Sequence, residues 1–460
     1  MSGATLERRL ANFRAASRPA ASPAVGRAGS LELAERLAVA VDGEIVAGSN
    51  GIVVRCEPMT VVLPVARDRL AALPGQPPAG APLVCLDTET TGLATAAGTV
   101  AFLIGLGWWE RDRFRQAQLL LPDHADEPAL LDVLAAHIPP DAWLVTYNGR
   151  GFDWPLLVTR YRMNRHDPPP HAGHLDLLPF VRRVFRHRMT DARLQTVETT
   201  LLGVARHGDV EGWEIPGRYH DFLRGGAAEP LFDVVRHNRE DVRSLGRFLV
   251  DVVARFDGLP AGRVTHPGDL AGLARAFSRE RRLDEALACI EAALEMPRDR
   301  PSSAPDAPGA RDEPRAPAWE DRWWAPRRPV DFGGRPRRPA PATQPPLLDS
   351  PWTEERILVE RARLLRRLGR FDAAAATWEA LGSGPGHLAV VAWIEVAKLR
   401  EHRLRDPAGA LAAVDRARSL VERRRRLGRP DPPLERDLAH RRARLALRLA
   451  AAGGSGRHVA

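Results

Sequence analysis

The stretch LVCLDTETTGL, Leu83 to Leu93, ends an apolar run in two carboxylates, Asp87 and Glu89, separated by one threonine. In an extended strand, residues two apart share a face, so both acids leave the strand together. Adjacent carboxylates repel and are costly to desolvate unless something positive stands between them. A divalent cation answers that need, and hard oxygen donors suit Mg²⁺ or Mn²⁺. Two further stretches carry groups of the same kind. TYNGRGFDWPLL, Thr146 to Leu157, offers Asp153 where a strand gives way to a helix, either as a helix N-cap or as a ligand. RHNREDVRSL, Arg236 to Leu245, sets His237 and Asp241 four apart on one helix face, either as an ordinary surface pair or as site groups. Four carboxylates converging from these segments would form a cage for two cations about 3.5–4 Å apart, which activate a water and stabilise the leaving oxygen of an in-line phosphodiester displacement. An imidazole titrating near neutrality is suited to take or orient that water's proton.

Such groups need a scaffold that brings distant segments together. Strand patterns run through LVCLDTE, TVAFLIGLGWW, FRQAQLLL and AWLVTYN. Helical patterns run through EPALLDVLAAHI, FDWPLLVTRYRMN, HLDLLPFVRRVF and LFDVVRHNREDVRSLGRFLVDVVARF. Three early strands in hairpin succession, then a helix, a strand and more helices, predict an α/β mixed sheet with flanking helices over residues 82–256. Upstream, residues 1–30 read as a disordered basic tail. Residues 31–80 read as a small extension with a short helix and the strand-like pieces GEIVAG and GIVVRC. Downstream, LARAFSRERRLDEALACIEAAL (Leu273 to Leu294) is echoed by ERARLLRRLGRFDAAAATWEAL (Glu360 to Leu381), and more loosely by the segment starting at Glu395. A period in the mid-thirties with small residues at helix contacts predicts an all-α domain of tetratricopeptide-like hairpins over 265–297 and 352–452, with a generic helical bundle as the alternative. Residues 298–351, dense in Pro, Arg and Asp, read as a disordered insertion.

Composition sets the outer bounds. A chain of 460 residues holds two or three domains, and 44% apolar with 27% charged residues is that of a globular protein. The net charge of +9 favours a polyanionic partner, but Lys398 is the only lysine, and so lopsided a ratio speaks equally for a general compositional bias. Cys56, Cys85 and Cys289 are too few and too scattered for a disulfide framework or a cysteine zinc site. The longest apolar run, TVAFLIGLGWW, is too short to span a bilayer. The expectation is a cytoplasmic protein with no membrane association.

The ordered set Asp-x-Glu, Asn-x4-Asp and His-x3-Asp resembles the DEDD group of ribonuclease H-like 3′–5′ exonucleases. LVCLDTETTGLATAAGTVAFLIGLGWW, LVTYNGRGFDWPLL, HLDLLPFVRRVF, VEGWEIPGRY with HDFLRGG, and VVRHNREDVRSL are similar in order to its YprB-like branch, in which tetratricopeptide-like repeats follow the nuclease domain. The resemblance is strong over about Pro82 to Phe256 and loose beyond. It implies a ribonuclease H-like fold and a metal-dependent 3′–5′ exonuclease acting on single-stranded ends of DNA or RNA with two Mg²⁺ or Mn²⁺ ions. It implies Asp87, Glu89, Asp153 and Asp241 as metal ligands, Asp87 touching both ions and Asp153 mainly one, with His237 in the general-base position. One departure stands out: histidine-type members place the base five residues before the last Asp and tyrosine-type members place Tyr four before, whereas this chain has histidine at the tyrosine spacing. Thr88, Thr90, Asn148 and Phe152 are candidate substrate contacts, with strand and turn roles for the threonines, loop capping for Asn148 and core packing for Phe152 as the alternatives, and Asn238 is a further candidate to contact substrate. Trp154 is expected in the core. His174 and Asp176 are candidates to orient the ligands. Arg182, Arg183, Arg186 and Arg188 form a basic stripe suited to phosphate, or a solvated helix face. The alternative functions are a structure-specific endonuclease on the same fold, and an inactive scaffold working through its repeats, which are expected to recruit a protein partner.

Overall fold

The computed structural model of the protein describes residues 27–296 and 353–454, apart from 49, 59, 93–97, 207, 258–263, 265 and 385–387. The expected tail up to residue 26 and the insertion 298–351 lie outside the described residues. Arg27–Ser30, assigned to that tail, are instead the first turn of helix α1 (Arg27–Val41).

The four strand patterns form strands: β4 (Leu83–Thr90), β5 (Ala101–Glu110), β6 (Arg113–Leu120) and β7 (Trp143–Thr146). The upstream pieces are not a separate unit. β1 (Glu44–Gly48) and β2 (Gly51–Cys56) extend the same sheet, in the order β1-β2-β6-β5-β4-β7-β8. A short β3 (Val61–Val62) pairs with β6 off this path. The last strand, β8 (Gly173–Asp176), occupies the start of HLDLLPFVRRVF, which the periodicity assigned wholly to helix. There Asp176 caps helix α5 (Leu177–Val184), accepting from the Leu178 N–H, so the chain leaves a strand and enters a helix with no loop between.

β4 is the axis of the fold. It runs antiparallel to β5 and parallel to β7, which in turn runs parallel to β8. Its side chains alternate between two cores: Leu83 and Cys85 on one face, Val84 and Leu86 on the other, all buried. A strand buried on both faces is a continuous apolar run, and each fully buried leucine contributes about 1.5–3 kcal/mol. That is enough to hold the strand in place where its last residues must desolvate charge. The face carrying Cys85 packs under the long helix α8 (Pro230–Phe256), through Val242, Leu245 and Leu249. The opposite face is covered by α1, α3 (Glu127–Ala136), α4 (Asp153–Met163) and α7 (Ile215–Leu223). Helix α2 (Arg67–Ala72) precedes β4, and α6 (Leu194–Val197) runs into a π-helical turn, Glu198–Leu202.

The helical region follows as α9 (Pro267–Arg279), α10 (Leu283–Glu295), α11 (Glu354–Arg367), α12 (Phe371–Ser383), α13 (Ala389–His402), α14 (Pro407–Arg426) and α15 (Pro432–Gly454). In the first three hairpins the turn holds a left-handed residue two positions before the second helix: Arg281, Gly369 and Arg405. That shared turn is the structural counterpart of the sequence echo. Small residues Ala274, Ala286, Ala362, Ala374, Ala397 and Ala410 are buried between the helices.

Candidate functional site

The site gathers at the carboxyl end of β4, next to its parallel neighbour β7. Asp87 and Glu89 point to the α8 side, while Thr88 faces the other way and donates its hydroxyl to Asp153 Oδ1 at 2.5 Å. Asp153 is the first residue of α4 rather than its cap, which is Phe152. The loop before it is pinned by Asp176, whose Oδ1 accepts from the Asn148 N–H at 2.8 Å and whose Oδ2 accepts from the Arg150 N–H at 3.3 Å. Asn148 adopts a left-handed backbone there, φ 69°. From α8, one turn apart, come His237 and Asp241, with His237 Nε2 3.7 Å from Asp241 Oδ2 and 3.9 Å from Glu89 Oε1.

Asn238 does not reach outward as a substrate contact would. It is 0% exposed, and its amide donates to Asp87 Oδ2 at 2.9 Å while its own oxygen accepts from Gln118 Nε2 at 3.0 Å. The sheet register explains how. Asp87 on β4 stands opposite Gly105 on β5, and Gly105 opposite Gln118 on β6. A Cβ on Gly105 would come within 2.2 Å of Asn238 Oδ1 and 2.7 Å of Val242 Cγ2. Glycine in the middle of that row lets α8 descend, so that Asn238 spans from Gln118 to Asp87. Gly105→Ala should therefore destabilise the protein by on the order of 1–3 kcal/mol and weaken activity by displacing Asn238. Denaturant melts and turnover of the purified variant measure both, and an unchanged melt would show that the helix does not sit this close.

The electrostatics follow from crowding. Burial pushes the Asp87 carboxyl well up, and Asp241, Asp153 and Glu89 push it further, against the hydrogen bond from Asn238. Glu89 is raised by burial and then by Asp241, Asp153 and Asp209. Asp153 is pushed up to about 6, chiefly by burial, with the Thr88 hydrogen bond opposing. Among the described residues, no arginine or lysine pairs with Asp87, Glu89 or Asp153. Asp241 differs: Arg206 Nη2 holds its Oδ1 at 2.5 Å and also binds Glu198 Oε1. Nor do any three of the four acids bring their oxygens within 4.8 Å of one another, as the donors of a closed site would. An all-oxygen set with uncompensated, mutually repelling charge fits hard divalent cations. Asp87, Glu89 and Asp153 carry that fit, with Asp241 shared with Arg206.

Two residues of the site have no counterpart in the sequence patterns. Asp209 Oδ1 accepts from His237 Nδ1 at 2.8 Å, and Asp209 Oδ2 accepts from Arg206 Nη1 at 3.2 Å. Burial alone would raise Asp209, but the bond from His237 and the Arg206 charge hold it below its usual value. Arg206 is itself raised, its desolvation outweighed by Asp241 and Glu198. With Nδ1 committed to Asp209, the Nε2 face of His237 is turned toward Glu89 and Asp241.

The remaining expectations resolve individually. Thr90 donates to the Gly92 carbonyl at 2.6 Å and shapes the turn. Phe152 is 37% exposed and precedes Asp153 in the chain. Trp154 is half-buried against the core, its ring 4.9 Å from that of His171. His174 is buried, held to about 4 by desolvation and the nearby Arg150, and its Nε2 meets Thr146 Oγ1 at 2.9 Å, so it supports β7 as a neutral ring. The basic stripe is divided. Arg182 and Arg186 are exposed, but the backbone at Arg183–Val184 packs against Gly272 of α9, and Arg188 pairs with Asp269. The cysteines are buried and free, and among the described residues no helix is long and apolar enough to cross a membrane.

Residues 84–253 match the model of a family described as the RNase H superfamily. Over 215 residues the chain is 34% identical to the "Uncharacterized protein YprB" of Bacillus subtilis (strain 168), a stretch covering 46% of this chain and 52% of that protein. The chain thus spans about half the length of the relative it matches.

Proposed function

We propose, from the premise that residues 84–253 form an RNase H-superfamily domain, that this protein is a divalent-metal-dependent 3′–5′ exonuclease acting on single-stranded nucleic acid ends. The observation that carries the reading is the desolvated group Asp87, Glu89 and Asp153 at one strand end, charged against itself and without a basic partner. Bound Mg²⁺ or Mn²⁺ ions would supply the charge that stabilises the phosphodiester transition state and would lower the pKa of the attacking water. Asp87, Glu89, Asp153 and Asp241 would hold them. The chain's own groups do the rest. His237 Nε2 takes the proton of the water, with Asp209 fixing the ring by its Nδ1 bond. Asn238 keeps Asp87 Oδ2 in place, Thr88 does the same for Asp153, and Asp176 sets the loop that delivers Asp153. Phe152 offers an exposed ring on which a terminal base can stack.

The helical hairpins, which we take as tetratricopeptide-like, provide a surface for a protein partner, and we place the protein in the cytoplasm. The test is digestion of 3′- and 5′-labelled DNA and RNA oligomers, and of a closed circle, with Mg²⁺, with Mn²⁺ or with chelator. Mononucleotides released from 3′ ends, no cutting of the circle and silence under chelator are the expected results. Cutting of the circle would move the assignment to an endonuclease, and undiminished release under chelator would end it.

A further inference from the structure

A second cluster of ligand-type side chains lies where the α/β domain meets the first helical hairpin. The 3₁₀ turn Arg186–Arg188 follows α5, and His266 is the N-cap of α9, its Nδ1 accepting from the Gly268 N–H at 2.9 Å. In the space between, His187 Nε2 stands 3.1 Å from His266 Nδ1 and 3.2 Å from Asp269 Oδ1. His187, His266 and Asp269 are the one group among the described residues whose three donor atoms all lie within 4.8 Å of one another. Bonds of 2.0–2.1 Å to a tetrahedral zinc ion set neighbouring donors about 3.3 Å apart, close to the two separations seen here.

Asp269 supplies an independent observation. It is 0% exposed, on the buried face of α9, and its Oδ1, 3.2 Å from His187 Nε2, makes no well-aligned hydrogen bond. A buried carboxylate oxygen left in that state is rare and asks for a positive partner. Its other oxygen, Oδ2, accepts from Arg188 Nη1 at 2.9 Å, an outer bond of the kind that orients a ligating carboxylate.

We propose that His187, His266 and Asp269 bind one Zn²⁺ ion, with water as the fourth ligand, and that this ion fastens the helical domain to the α/β domain. Two imidazoles and one carboxylate match the preferences of zinc rather than those of Mg²⁺ or Mn²⁺. The site is separate from the acids on β4. An ion held through Nδ1 of His266 takes the lone pair now shared with the Gly268 N–H, so zinc binding exchanges that cap bond for a metal bond.

The test uses the full chain with Asp87→Asn and Asp153→Asn, which disables the acidic site, stripped by chelator and titrated with Co²⁺ and then Zn²⁺. One equivalent of Co²⁺ should give the intense visible bands of tetrahedral coordination, and one equivalent of Zn²⁺ should displace it. His187→Gln and His266→Asn should each lower Zn²⁺ affinity at least about tenfold. Asparagine is itself a strong N-cap, so His266→Asn removes the ligand without removing the cap, and circular dichroism melts check that both proteins are folded. Absence of a tetrahedral Co²⁺ spectrum, or a spectrum retained in both variants, would leave an ion-free His–His–Asp network and overturn the proposal. Neither result depends on whether the acids on β4 run a nuclease.

Discussion

Asp87→Asn should abolish nucleotide release, by at least about a thousandfold, and at the same time raise the melting temperature of the metal-free protein at neutral pH. Both effects come from one charge. Asparagine keeps the shape of aspartate and its oxygen can still accept from Asn238, so the row Asp87–Gly105–Gln118 stays packed. What disappears is the negative charge that burial, Asp241, Asp153 and Glu89 all oppose. A carboxyl whose pKa is higher folded than unfolded is neutral in both states below the unfolded value, where it costs nothing. As pH rises past that value the unfolded chain ionises first, and the folded protein loses stability until the folded pKa is passed. For Asp153, raised from 3.8 to about 6, the loss amounts to about 3 kcal/mol, entered between roughly pH 4 and pH 6. The metal-free wild type should therefore melt several degrees higher near pH 5 than at pH 7 on account of these groups, and Mn²⁺ should erase the difference. In Asp87→Asn and Asp153→Asn the pH effect and the Mn²⁺ effect should both shrink. Scanning calorimetry with and without chelator at the two pH values reads this directly. A variant that melts lower than wild type at pH 7 and keeps its activity would show that the acids are structural.

How much of this was visible in the primary structure depends on what each feature needs. β4 and its acids were plain because an apolar run and a two-residue spacing are both local. The His237–Asp241 pair was plain because a helix repeats every 3.6 residues. Asn238 sits between them and reads from sequence as a substrate contact, since nothing local reveals that β5 lacks a side chain opposite Asp87. The signal was there in FLIGLGWW, where two glycines interrupt a strand, as they do where another backbone or helix comes close. β8 was absorbed into a helix because four strand residues run straight into α5, and Leu175, Leu177 and Leu178 suit either pattern. The arginine stripe is only half solvated, and for a different reason. Its helix packs against α9, and no window of sequence around Arg183 or Arg188 contains Gly272 or Asp269. Asp209 and Arg206 had no pattern at all. They come from the irregular stretch between the π-helical turn and α7, where only the folded chain shows that they face α8.

Asp209→Asn is the sharpest probe of that stretch, and should lower kcat by about a hundredfold to ten-thousandfold while leaving KM and divalent-metal affinity close to wild type. Asp209 accepts on both oxygens, from His237 Nδ1 and from Arg206 Nη1. An asparagine has one acceptor and one donor to offer those same two neighbours. Arginine is charged and can only donate, so the amide oxygen turns to Arg206, giving up the 3.0 Å bond that Oδ1 accepts from the Val210 N–H, and the amide nitrogen faces His237. Nδ1 must then become the acceptor, and the ring proton moves to Nε2, the nitrogen facing Glu89 and Asp241. A histidine in that tautomer has no lone pair with which to take a proton from the attacking water. The substitution leaves volume, burial and the four acids untouched, which separates a proton-transfer defect from loss of metal. If Asp209 acts only through His237, then Asp209→Asn combined with His237→Ala should be no slower than His237→Ala alone, a non-additivity that single-turnover rates at saturating Mn²⁺ resolve. Additive losses would mean that Asp209 works through Arg206 and Asp241, and that histidine at this spacing is not the base.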